Sequence, residues 1–158
     1  LGDSLQQAPQ AQLNAEDADG SGPIESGDAS ESDPVGVLNI NHDGGDALAD
    51  GEYRVRVSGP DGSWHDVHNG TTEVGEFAYG DGSPTGDEDA TANVKIGSNP
   101  DEFSVGETIS IEIDGFSEGT DGEGTTTDDS VEIGGDWDVQ IIHVPSDSIL
   151  FDTTVNVE

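Results

Sequence analysis

Residues Asp136 to Glu158 read DWDVQIIHVPSDSILFDTTVNVE. Two alternating runs flank Pro145-Ser146-Asp147-Ser148, the pattern of a β-hairpin. Successive side chains of a strand face opposite ways, so Trp137, Val139, Ile141 and His143 fall on one face of the first run. Ile142 and Val144 take the other, which predicts a strand covered on both sides. In the second run Ile149, Phe151, Thr153, Val155 and Val157 share a face, and a covered edge accounts for Val157 at its end. A pair of strands this apolar needs a sheet beside it and a second layer against it.

The same period of two recurs upstream. Ile109, Ile111 and Ile113 alternate with Ser110, Glu112 and Asp114, and Tyr53, Val55 and Val57 alternate with Glu52, Arg54 and Arg56. QAQLNAEDAD (10–19), VGVLNIN (35–41), the run after the Pro60-Asp61-Gly62 turn, TTEVGEFAYG (71–80), TANVKIG (91–97) and VEIGG (131–135) complete the set. Helical spacing appears only at the start, where Leu1 and Leu5 stand at i and i+4 ahead of Pro9. About eight or nine short strands with turn signals between them predict an all-β fold, an antiparallel, immunoglobulin-like β-sandwich preceded by the end of an N-terminal helix. A barrel is the alternative. Residues 1–9 are assigned to the helix end and 10–158 to the sandwich, with acidic loops at 16–34, 80–90 and 115–130.

Charge narrows the function. The chain of 158 residues has 36 acidic residues against Arg54, Arg56 and Lys95, a formal −33. Low hydrophobicity with such a charge otherwise marks disorder, but the apolar residues here are grouped into alternating runs. The acidic exterior is instead read as one built for brine, because at molar salt the Debye length falls to about 3 Å and carboxylates no longer repel at range. Nucleic acid is excluded as a partner, since phosphate contacts need Lys and Arg. With no Cys, disulfides and thiolate metal sites are excluded. No apolar run of about 18 residues marks a membrane span, and no signal peptide precedes Leu1, so the chain reads as a processed or truncated product.

Few segments carry chemistry. Asp17, Asp19, Ser21 and Asp28 fall at positions of a calcium loop that supply oxygen ligands, with Gly22 at its sharp turn. Position twelve is Asp rather than Glu and flanking helices are lacking, so a solvated acidic linker competes with a calcium site. His65 and His68, three apart on a strand, are expected on opposite faces and so not to share a metal; His42 and His143 read as surface or locally hydrogen-bonded residues. No Ser lies in a nucleophile elbow and the glycines at 80–86 lack a following Lys, so no enzyme is expected. Asn69 with Thr71 forms an N-glycosylation sequon in a turn. The aromatic residues lie within or beside strands and read as core and rim packing rather than a sugar platform.

Taken together, LGDSLQQAPQAQL (1–13), LNINHDGGDAL (38–48), VGETISIEI (105–113) and VQIIHVPSDSILFDTTVNV (139–157) resemble the haloarchaeal type IV pilins. The resemblance covers both ends and parts of the middle; the loops at 80–90 and 115–130 match nothing in it. It implies an extracellular filament subunit, matured by a prepilin peptidase, whose long apolar helix packs in the filament core with other copies of itself. Leu1 and Leu5 would end that helix, and the β-rich head, often N-glycosylated, would face outward to abiotic and cell surfaces. No cofactor is required beyond high salt. The alternative is a secreted halophilic β-sandwich that binds calcium or polysaccharide.

Overall fold

The computed structural model describes residues 8–18, 20, 23–60, 62–68, 76–80, 90–98, 101–120, 123–128 and 130–158. The helix end expected around Leu1 and Leu5, the sequon at Asn69 and Thr71, and most of the 80–90 loop lie outside them. The described residues are all β, in antiparallel pairings. Strands β1 (Ala11–Asp17), β3 (Val35–Gly45), β8 (Thr108–Ser117), β7 (Thr91–Ser98) and β6 (Phe77–Tyr79) lie side by side in that order. A second sheet has the order β13 (Ser148–Val157), β12 (Gly135–His143), β4 (Tyr53–Ser58) and β5 (Trp64–His68). In immunoglobulin nomenclature these are A-B-E-D, with β6 added beside D, and G-F-C-C′. The expected sandwich is therefore the observed one.

Strand number is the first correction. There are 13 strands among the described residues, not eight or nine, because short segments were read as loops. β2 (Pro23–Glu25) pairs with β11 (Ser130–Glu132), which breaks the 16–34 loop and ends the 115–130 loop. β9 (Gly119–Thr120) pairs with β10 (Thr126–Asp128) within the latter. Ile24 and Val131 face each other across β2 and β11 and are buried, so a single apolar residue per strand anchors the pair to the core.

Between the sheets lie the residues that the alternation placed there. Ile109, Ile111 and Ile113 meet Val55, Val57, Trp137, Val139 and Ile141 in one cluster, all with zero exposure. Bulges interrupt several ladders, and two of them overturn an expected face. In the β12–β13 ladder Phe151 faces Ile141 but Ile149 faces Ile142, so Leu150 is an extra residue. The extra residue turns Ile149 to the outer face, where it is 58% exposed; it does not join Phe151, Val155 and Val157 inside. The same outer face leaves Val144 41% exposed while Ile142 is buried, so β12 is covered on both sides only in part. In β5 an extra residue at Val67 puts His65 opposite Val57 and His68 opposite Val55, both inward. His65 and His68 thus share a face, against the expectation from plain alternation. They do different things there: His65 stacks on Phe77 at 3.9 Å, and His68 stacks on Tyr53 at 4.7 Å with Nδ1 3.0 Å from the Tyr53 carbonyl.

On the outer faces, carboxylates are paired across strands mainly with neutral donors. Asn41 donates to Glu16 (3.0 Å), Asn156 to Asp136 (3.0 Å), Gln140 to Asp152 (3.4 Å) and Thr154 to Asp138. Asn93 donates to both Glu76 (2.6 Å) and Asp114 (2.7 Å). Asp114 is also the partner of the single Lys, with Lys95 Nζ at 3.1 Å. Its bond to Asp114 holds the Lys95 ammonium above its usual range. Burial first, and then Asp50, Glu107 and Asp101, push the Tyr53 phenol up as well. Both groups therefore keep protons in the folded chain that the unfolded chain releases above about pH 10. Their stabilisation is whole below that pH and is lost as pH rises, with a slope of about 1.4 kcal/mol per pH unit for each retained proton. Urea midpoints taken at rising alkaline pH in molar salt should fall, and Tyr53→Phe should flatten the decline.

Candidate functional site at the N-terminal pole

β3 ends in Asn41-His42-Asp43-Gly44-Gly45, followed by Asp46. The strand expected over 35–41 runs on to Gly45, with Asp43 as an extra residue opposite β1. Its groups close on the chain 36 residues earlier, from Asp46 to Gln10. Asp46 N–H donates to the Gln10 carbonyl (2.8 Å), and Gln10 N–H donates to Asp46 Oδ2 (2.9 Å). His42 Nε2 donates to the Asp46 carbonyl at 2.7 Å, which fixes the tautomer because a carbonyl only accepts. The His42 ring is 2% exposed, meets Phe103 edge-on at 5.3 Å, and leaves Nδ1 buried without a partner. His42 N–H and C=O are bonded to Glu107 and Gly106 in turn. Together these contacts form a clasp that fixes where the chain runs into β1.

Gly45 is required in it. Its φ is +84°, and a Cβ there would stand 2.1 Å from the Gln10 oxygen. Gly45→Ala should cost roughly 1–3 kcal/mol from backbone strain alone and force Gln10 away. Amide exchange should then quicken at Asp46 and Gln10. Gly27, with φ +91° and nothing within 4 Å of a Cβ, is the matched control: Gly27→Ala should show the strain without the local opening.

Beside the clasp is a cleft of about 390 Å³ lined by Pro9, Asp46, Ala47, Ala49, Glu52 and His143. His143 reaches it from the closing hairpin. The ring is buried, with Nδ1 2.7 Å from Ser146 Oγ and Nε2 3.9 Å from Glu52 Oε2. Ser, His and Glu in a row have the composition of a nucleophile, a base and an orienting acid. Glu52 and His143 line the cleft, Ser146 does not, and the 3.9 Å between Glu52 and His143 is longer than a hydrogen bond. The hairpin is held by Val144 N–H donating to the Glu52 carbonyl (2.8 Å).

The four segments quoted above thus meet here in part: Gln10, His42–Asp46, Gly106–Glu107 and His143–Ser146. Asp17 and Asp28 of the calcium loop do not. Asp17 Oδ2 accepts the Glu158 N–H (3.2 Å) and Asp28 Oδ2 accepts the Glu25 N–H (2.8 Å), each acting as a backbone cap. Asp19 and Ser21 lie outside the described residues, among which no group of three or more His, Cys, Asp or Glu is disposed to hold a metal ion. Of the aromatic residues, Trp137, Tyr53, Tyr79 and Phe103 are core, and Trp64 is 37% exposed beneath Arg56, whose Cζ lies 5.2 Å from its ring. The clasp was missed from sequence because its partner, Gln10, carries no local signal.

Comparison with protein families, with curated proteins and with solved structures finds no significant match in any of the three.

Proposed function

We propose that this chain is the outward-facing head of an archaeal type IV pilin, a structural subunit of an extracellular filament used for surface adhesion and cell–cell contact in high salt. The observation that carries the reading is the meeting at one pole of the segments that resemble that family, at the point where the chain runs into β1. A head carried on a helix needs its first strand fixed relative to the sandwich, and the Gln10–Asp46 clasp does that. In this reading Leu1 and Leu5 end the helix through which copies associate, and burial of its apolar surface supplies most of the assembly energy at roughly 25 cal/mol per Å². Prepilin peptidase acts before assembly, and Asn69 in its sequon accepts the glycan. In this reading the role is mechanical and adhesive rather than catalytic.

The test is assembly. Joined to a class III signal and a pilin-type apolar helix ahead of Leu1, and expressed in a haloarchaeal host, the chain should appear in filaments sheared from the cell surface. Its absence from them, with the protein exported and monomeric, would falsify the reading. One observation favours a second reading, a secreted sugar- or calcium-binding module: the exposed face of Trp64 backed by Arg56. Calorimetry with polysaccharides and with calcium in concentrated potassium chloride should then show saturable heats that Trp64→Ala abolishes for the sugar.

A further inference from the structure

The outer face of the four-stranded sheet differs from the rest of this acidic molecule. The chain has three Lys and Arg residues. Two of them, Arg54 and Arg56, stand on alternate positions of β4 and point outward, because Tyr53, Val55 and Val57 point in. They share one carboxylate: Arg54 Nη2 lies 3.0 Å from both Asp66 oxygens and Arg56 Nε 3.3 Å from Oδ1. Two guanidinium charges on one carboxylate leave a positive charge over, and both side chains remain about a third exposed, at 34% and 31%. Among the described residues four large apolar side chains are exposed. Trp64, Val144 and Ile149 belong to this sheet or its hairpin, and Val105 lies elsewhere.

The register sets these groups in rows. Ile149, Ile142 and Arg54 form one; Asp152, Gln140, Arg56 and Asp66 the next; Thr154, Asp138, Ser58 and Trp64 the third. We propose that this face binds the same face of a second copy of the chain, about a two-fold axis running along β12. Rotation about that axis exchanges β13 with β4. Ile142 then meets Ile142 and Gln140 meets Gln140. Asp152 meets Arg56, and Ile149 meets the aliphatic stem of Arg54. The surplus positive charge finds a carboxylate whose partner at home is the neutral Gln140 amide, 3.4 Å away. Asp138 faces its own copy, but it is already bonded by Thr154 and stands in a salt-screened rim.

Charge selects this occupant. A nucleic acid or an anionic lipid surface would meet two arginines set against Asp66, Asp138 and Asp152, in a chain of formal −33. Another copy offers a carboxylate at the matching place twice over, since an isologous contact repeats each pair. Three rows across the three overlapping strands span roughly 300 Å² per copy, under half of a standard interface, so the contact is weak in dilute solution. Heads held near one another on a surface would be at high effective concentration, where such a contact counts. The inference concerns the head alone and does not depend on the filament reading.

Sedimentation equilibrium of the whole chain in molar salt, from micromolar to millimolar protein, should show a monomer–dimer equilibrium. Asp152→Arg and Arg56→Asp should each weaken the dimer at least about tenfold, and the two combined should restore it. Val105→Asp should change nothing. Because the chain has no cysteine, Gln140→Cys gives a second readout: a short bis-maleimide should join two copies, and should not do so for Val105→Cys. A monomer at every concentration overturns the proposal. So does a dimer indifferent to Asp152→Arg, or a double variant that stays weak although each single variant folds. Where Arg56→Asp fails to fold, Asp152→Arg and the Gln140 cross-link decide alone.

Discussion

Dialysed from molar salt to about 0.01 M, the chain is expected to lose its tertiary fold, because the Debye length grows from about 3 Å to about 30 Å, a span comparable with the molecule. The structure gives the reason in detail. Arg54 and Arg56 are committed to Asp66, and Lys95 to Asp114. Among the described residues Glu16, Asp136, Asp138 and Asp152 are bonded by neutral donors, in a chain with 36 acidic residues. Neutral donors satisfy hydrogen bonds without removing charge. When screening is withdrawn, the repulsion acts on the folded chain more than on the expanded one, and the balance of about 5–15 kcal/mol that holds a domain together is small enough to be overturned. Near-ultraviolet circular dichroism of Trp137 and Tyr53, followed against salt concentration, should show a cooperative loss that returning the salt reverses. A spectrum unchanged at low salt would contradict the brine-adapted reading of the surface.

Trp137→Ala is expected to be the most damaging single substitution, at about 3–5 kcal/mol. The indole has zero exposure, lies 5.0 Å from the Tyr79 ring, and donates from Nε1 to the Ile133 carbonyl at 2.8 Å. Gly59 is small because of it: a Cβ at Gly59 would fall 2.7 Å from Tyr79 and 3.1 Å from Trp137. Removal leaves a cavity between the sheets and a buried carbonyl without its donor, and the two costs add. Urea unfolding in molar salt should show a large fall in midpoint with little change in slope. Trp137→Phe, which fills much of the space but lacks the N–H, should fall between the two and so separate packing from hydrogen bonding.

The fold was legible where a strand's own residues set its faces. Ile109, Ile111 and Ile113 needed no partner to declare their side, and neither did Tyr53, Val55 and Val57. Bulges were not legible. Nothing in WHDVH announces that Val67 is an extra residue; the register with β4 decides it, and with it the face of His65 and His68. Ile149 went astray for the same reason at Leu150. The short strands of 115–130 were hidden by their Gly, Ser, Thr and Asp content, because one buried Val131 and a pairing partner in β2 suffice to order β11. At the pole, the His-x-Gly-Gly-Asp segment stood out, yet its purpose depended on Gln10, a residue with no distinguishing neighbours. At the calcium loop, Asp17 and Asp28 cap backbone groups, and Asp19 and Ser21 lie outside the described residues.

The clasp also determines how the molecule would carry tension. β1 leaves the pole at Ala11 and runs away from it to Asp17, paired with β3 from Gly45 back to Leu38. A pull drawn through Gln10 and resisted at the far end of the sandwich lies along β1, so its ladder is loaded in shear, all rungs at once, rather than unzipped one by one. The Gln10–Asp46 bonds stand in front of that ladder and take the first strain. Stretched from its N-terminal side in a force spectrometer, the head should give one high rupture, and Gly45→Ala should lower it.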